Sequence, residues 1–254
     1  MSNVQTRIAQ ESFICNGDLI LKSITDKAGN DLKAQISLWL NNHYVFNDIT
    51  RSKNHGAITW NGFDATDINK KLRAKMSIVN GIHGESCVEY DSILSKGKKG
   101  FDFYLYDEEY YIKRLRNAFI GYPGRYNGDV ELNAIYKRVK DSNDKTFKKK
   151  DWEKKLTSLG GIAGKNIDTL GKNYYTVVGE IQFGNWALVR HDLIRLLNSE
   201  RNGEIDFYIY ITSTGTLVSK LSEGTVTYDN VIEFLNENLQ LIHTPMWIIG
   251  LDIT

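Results

Sequence analysis

An α/β fold, with helices packed on a central sheet, is what this chain of 254 residues predicts, and three observations carry that prediction. In the C-terminal half, runs of β-branched and aromatic residues alternate with amphipathic helical spacings. Glycine, asparagine or proline punctuates most changes of spacing. A composition of 41% hydrophobic and 25% charged residues is that of an ordinary globular protein, not of a disordered or collagen-like chain.

From the N-terminus to about Val130 the periodicity is weaker, and Asn, Gly and Asp are frequent. "QISLWLNNHYVF" reads as a helix or a buried strand, and "DINKKLRAKMSIV" as a helix. "FDFYLYDEEYYIKRLRNAFI" opens with Phe101, Phe103 and Leu105 alternating as in a strand, then changes to helical spacing through Leu115 and Phe119. Its alternating aromatics read as sheet packing rather than a base-stacking platform. "GYPGRYNGD" is a loop by its glycines and Pro123. In "DKTFKKKDWEKKLTSLGG", Phe147, Trp152, Leu156 and Leu159 approximate one helical stripe that Gly160 and Gly161 stop.

Beyond that point each element is plainer. Tyr174 to Phe183 is a strand by its β-branched and aromatic content. "NWALVRHDLIRLLN" is a helix capped by Asn185, with Trp186, Val189, Leu193, Leu196 and Leu197 on one face. "EIDFYIYITS" is a strand and "TYDNVIEFLNENL" a helix. "PMWIIGLDI" is a last strand opened by Pro245, where a missing N–H is tolerated.

Charge and composition exclude several classes. With 32 basic against 31 acidic residues, the chain is no general polycation. A local basic segment between Tyr136 and Lys155 reads either as a solvated helix face or as a phosphate contact. No apolar run reaches the length of a membrane span, and "MSNVQTRIAQES" lacks the pattern of a secretory signal, so a cytoplasmic protein is expected. Cys15 and Cys87 have no metal-ligand partner nearby in sequence and read as reduced thiols.

Within the strand Tyr174–Phe183, alternation sets Glu180 and Gln182 on one face and Ile181 and Phe183 on the other. A hard divalent cation such as Mg²⁺ takes oxygen ligands, commonly one or two carboxylates with waters and phosphate oxygens. Asp168 and Glu180 supply two carboxylates if the turn through Gly171 brings them together, with the peptide carbonyl of Ile181 beside them. Such a metal polarises a phosphoryl oxygen and acidifies a bound water, and Gln182 is placed to orient that water.

"GEIQFGNWALVRHDL", "EIDFYIYI" and "PMWIIGLDI", in that order, resemble the BglII and BstYI branch of type II restriction endonucleases. Glu180, Gln182, Phe183, Gly184, Trp186, Asp192, Leu193, Ile205, Asp206, Pro245, Ile249 and Gly250 carry the resemblance. It implies a PD-(D/E)XK nuclease core, a central mixed sheet flanked by helices, elaborated at its N-terminus. Residues 1–130 would then be the elaboration that holds recognition and dimerisation elements, and 131–254 the catalytic core, in one continuous domain. The resemblance gives Asp168 the role of first acidic residue and Glu180 that of the second, both binding Mg²⁺. Gln182 stands in the place where most of the superfamily has lysine. Ile167 replaces the proline of the motif, and the interval from Asp168 to Glu180 is longer than in the relatives, which makes Asp151 and Glu153 the next carboxylates to consider.

Lys165, Lys172, Arg190 and Arg195 lie near this site in the sequence and are expected to contact either phosphate or solvent. The function so implied is Mg²⁺-dependent hydrolysis of double-stranded DNA at a short palindromic sequence by a homodimer, functionally paired with a DNA methyltransferase. A repair or modification-dependent endonuclease on the same fold and a catalytically silent DNA-binding protein are the alternatives.

Overall fold

The structure, a computed structural model, describes residues 1–53, 58–86, 100–121, 156–158, 160, 164–167, 171–201, 205–221 and 225–254. Among these residues the strands are β1 (Ser2–Ile14), β2 (His43–Phe46), β3 (Asp48–Lys53), β4 (Ile58–Phe63), β5 (His83–Ser86), β6 (Phe101–Leu105), β7 (Val177–Ile181), β8 (Phe207–Ser213) and β9 (Met246–Ile253). The helices are α1 (Gly17–Leu21), α2 (Leu32–Leu40), α3 (Ala65–Ala74), α4 (Glu108–Ile120), α5 (Trp186–Arg201), α6 (Gly215–Ser219) and α7 (Tyr228–Glu237).

One seven-stranded sheet runs in the order β2-β1-β9-β8-β7-β6-β5, and β3 and β4 form a separate hairpin. The neighbours β7, β8 and β9 are parallel, while both flanks are antiparallel, so the sheet is mixed. Every residue of the three parallel strands is buried, as expected where helices cover both faces. On one face α2 and α3 bring Ile36, Trp39, Ile68 and Leu72 against Phe103, Ile181, Ile211 and Trp247. On the other, α5 and α7 bring Val189, Leu196, Val231 and Leu235 against Val178, Tyr208 and Ile248.

Local signals account for these elements. Asp31, Asp64, Asp107 and Thr227 each accept a backbone N–H at the start of α2, α3, α4 and α7. "QISLWLNNHYVF", undecided between helix and strand, is both: Leu32–Leu40 is helical, His43–Phe46 is extended, and Asn41 and Asn42 divide them. The expected strand from Tyr174 to Phe183 is shorter than its composition suggests: Val177–Ile181 pairs with β8 along its length, and β6 pairs only with Val177–Gly179. Gly179 is required there: a Cβ at this position would lie 2.1 Å from the Phe103 ring.

The long strand β1 had no clear sequence signal. Its residues alternate only partly in burial, and a register shift between Ile8 and Gln10 breaks the period. The strand joins residues of the N-terminal half to β9, so both halves of the chain contribute to one sheet. Cys87, Pro123, Asp168, the basic segment and nearly all of "DKTFKKKDWEKKLTSLGG" lie outside the described residues. Among the described residues no helix is long and apolar enough to cross a membrane.

Candidate active site

The C-terminal end of β7 is where polar chemistry enters the core. Alternation works there as the sequence suggests. Ile181 and Phe183 pack on the α2 and α3 face, while Glu180 and Gln182 both meet side chains of α5. Asn185 Oδ1 accepts the Ala187 N–H at 2.9 Å and starts α5. The helix then buries Val189, Leu193 and Leu196 and, on the same side, the carboxylate of Asp192.

Glu180 is buried, with only 6% of its side chain exposed, and its carboxylate takes an ion pair from the Arg195 guanidinium. The same guanidinium nitrogen lies 3.7 Å from Asp192 Oδ1. Asp192 also accepts the Tyr210 hydroxyl at 3.2 Å and a hydrogen bond from the Gln182 side chain. Burial pushes the Glu180 carboxyl well above its ordinary range, and the charges of Asp102 and Asp192 push it further, against the pull of Arg195. Asp192 is raised to about 6, chiefly by burial, with Arg195 and the Tyr210 hydroxyl drawing it back. Burial opposes the charge of Arg195, but the two carboxylates outweigh it and raise the guanidinium's pKa.

A second carboxylate reaches β7 from the neighbouring strand. In the antiparallel ladder Phe103 is opposite Gly179, which brings Asp102 to the last residues of β7. Its Oδ2 accepts the Ile181 N–H at 2.8 Å, and its Oδ1 is 2.5 Å from the Arg73 guanidinium. Helix α3 supplies that arginine and, one turn earlier, Asn69, whose Nδ2 donates to the Ile181 carbonyl at 3.1 Å. The buried Asn69 Oδ1 has no hydrogen-bond partner among the described residues. Trp39 fixes this helix by donating its indole N–H to the Leu72 carbonyl at 2.8 Å.

Asp102, Asn69 and Arg73 were not singled out in the sequence. The available signal was a lone carboxylate inside the apolar alternation "FDFYL", whose meaning depends on a strand pairing across a long intervening segment. Asp168 and its substitutes Asp151 and Glu153 lie outside the described residues. Of the four basic candidates, Arg195 is at the site. Arg190 is an exposed residue of α5. Lys172 is at the opposite end of β7, 2.9 Å from Asp206 Oδ2 and 3.4 Å from Thr176 Oγ1. Lys165 is exposed, and its backbone carbonyl accepts Arg116 at 2.5 Å.

Among the described residues no three His, Cys, Asp or Glu side chains form a metal-binding group. The oxygens gathered here are two carboxylates, Asp102 and Glu180, and the Ile181 carbonyl. These are hard donors, in the number that Mg²⁺ takes from protein when water and phosphate complete its shell. Asp102 and Asp192 both oppose the charge on Glu180, and Arg195 offsets part of that repulsion.

The family model for restriction endonucleases BglII/BglIII matches residues 14–251. The crystal structure of restriction endonuclease BglII complexed with a DNA 16-mer superimposes with a TM-score of 0.51 at 10% sequence identity. The match covers 98% of this chain and 78% of that one, and it shows a shared fold. No curated protein sequence matches the chain.

Proposed function

Because the chain belongs to the BglII/BglIII restriction endonuclease family, we propose that it is a type II site-specific deoxyribonuclease of the PD-(D/E)XK kind. It hydrolyses double-stranded DNA at a short palindromic sequence and requires Mg²⁺. The observation that carries this reading is the buried Glu180, set at the end of β7 beside a second carboxylate, Asp102, that bonds to the next peptide N–H.

Asp102 and Glu180, with the Ile181 carbonyl, would hold the cation. When bound, Mg²⁺ polarises a phosphoryl oxygen and lowers the pKa of water. The first acidic role, which the sequence resemblance carries to Asp168, is proposed for Asp102, which among the described residues comes from the strand next to β7 and accepts the Ile181 N–H. Gln182 orients the attacking water through its amide, steered by its bond to Asp192. Asn69 holds the Ile181 carbonyl in place and leaves its own Oδ1 as an acceptor for water. Water attacks phosphorus and gives up a proton to solvent, the P–O3′ bond breaks, and the leaving 3′ oxygen takes a proton from solvent.

A homodimer presents one such site to each strand of a palindrome. Asn and Arg side chains of the N-terminal half are suited to reading adenine and guanine edges. A partner methyltransferase in the same cytoplasm would protect the host's own sites. The test is digestion of long unmodified duplex DNA in Mg²⁺ followed by sequencing of the new ends. One recurrent palindrome at the ends supports the reading. Cleavage confined to methylated or branched DNA, or tight binding without cleavage, overturns it in favour of a modification-dependent enzyme or a silent binder.

A further inference from the structure

Phosphodiester hydrolysis builds negative charge on the phosphoryl oxygens and on the leaving oxygen, so a cation near phosphorus contributes strongly. Gln182, beside the proposed water, is a neutral amide. The cations that reach the end of β7 among the described residues are two guanidiniums, those of Arg73 and Arg195. They differ in how they are held. Arg73 binds Asp102 from the α3 side. Arg195 comes from α5, pairs with Glu180, lies within reach of Asp192, and rests over the Phe101 ring with its central carbon 5.7 Å from the centroid. Its side chain is 35% exposed while that of Glu180 is 6% exposed, so it links the buried carboxylate to the surface that DNA must approach.

Charge balance gives this arrangement a direction. With all three carboxylates ionised, the state a metal would bind, Asp102, Glu180 and Asp192 face two guanidiniums, which leaves the cluster one negative charge. A divalent cation turns that into one positive charge, matched by a single phosphodiester. Arg195 pairs with the Glu180 carboxylate that would hold the metal, so the two cations would compete for it. After losing that carboxylate the guanidinium keeps two tethers, Asp192 and the face of Phe101.

On the basis of the nuclease reading above, we propose that Arg195 is a further catalytic residue, which stands in for the divalent cation at Glu180 and, once displaced, contacts the scissile phosphate. Arg195 thereby supplies from a helix the positive charge that Gln182 does not provide. The geometry requires arginine: its planar guanidinium spans two carboxylates and stacks on an aromatic ring together, which a lysine ammonium does not match.

The experiment compares wild type with Arg195→Met, which keeps the stem over Phe101, and with Arg195→Lys, which keeps the charge. Manganese affinity of the DNA-free protein is measured by calorimetry. Single-turnover cleavage and DNA binding are measured on the same preparations. Removing the competing cation is expected to tighten manganese binding of Arg195→Met by at least about fivefold, the lower range of site–site coupling. Cleavage at saturating metal and DNA is expected to fall about 10²- to 10³-fold. DNA affinity should change only a few-fold, and Arg195→Lys should recover part of the rate. Cleavage by Arg195→Met within threefold of wild type, or unchanged manganese affinity in both variants, overturns the proposal. If wild type itself does not cleave DNA, the nuclease reading fails. The manganese comparison then still decides the stand-in role, and without cleavage the catalytic role is rejected. Should Arg195→Met not fold, Arg195→Gln takes its place with the same two readouts and the same thresholds.

Discussion

Asp192→Asn should make the protein more stable near neutral pH and less active. Asp192 is 5% exposed, and burial raises its carboxyl from 3.8 to about 6. Its pKa is therefore higher in the folded state than in the unfolded chain, and the folded state binds protons more tightly through that window. Stability is consequently greatest below the unfolded value and declines as pH rises toward about 6, above which the full cost is present. At about 1.4 kcal/mol per pH unit, ionising this buried group costs the folded protein about 3 kcal/mol. Asparagine removes that cost, which already includes the attraction of Arg195, and still offers an oxygen to Tyr210, but its amide N–H₂ meets the Arg195 guanidinium donor against donor. A net gain of about 1–2 kcal/mol near pH 8 is expected, a rise in Tm of roughly 2–8 °C for a chain of this size. The advantage should shrink by about 2 kcal/mol near pH 4.5, where the wild-type carboxyl is largely protonated in the folded state. Thermal melts of both proteins at the two pH values, without divalent cations, measure this. Equal differences at the two pH values, or an asparagine variant that loses ground at the higher one, would refute the burial argument.

Other consequences follow from the same geometry. Asp102→Asn should reduce cleavage by at least roughly 10³-fold, the several kcal/mol that a metal-held charge contributes, while Asp168→Asn should have a far smaller effect; the reverse order would return the first acidic role to Asp168. Asn69→Ala removes the bond to the Ile181 carbonyl and should slow single-turnover cleavage about 10- to 100-fold with the Tm nearly unchanged, an effect of the size seen for supporting groups around metal sites. Gly179→Ala forces a Cβ against Phe103 and should cost about 1–3 kcal/mol by chemical denaturation; a neutral result would mean that β6 and β7 separate readily.

How much the sequence disclosed follows the range of the interactions involved. The alternation of β7, the apolar stripe of α5, and the buried runs of β8 and β9 are local patterns. Their places, including the shared side of Glu180 and Gln182, were legible in the order of residues alone. The place of Asp102 beside Ile181 was hidden because it arises from pairing β6 with β7 across a long intervening segment, and its flanking aromatics pointed to packing. Asn69 and Arg73 lie on a helix whose sequence marks only the apolar side, Ile68 and Leu72. Lys172 is near Glu180 along the chain, but the length of β7 separates them, and Asp206 holds it at the far end. The polar strand β1 escaped notice because a bulge interrupts its alternation.

If the end of β7 is a metal-dependent phosphodiesterase site, the most direct test is cleavage of unmodified duplex DNA by wild type and Glu180→Ala in Mg²⁺ and in EDTA. Thermal melts of both proteins establish that the variant is folded. Discrete fragments are expected from wild type in Mg²⁺, none in EDTA, and none from Glu180→Ala in either. Cleavage by a folded Glu180→Ala at the wild-type rate, or wild-type cleavage that persists in EDTA, would contradict a metal site built on Glu180.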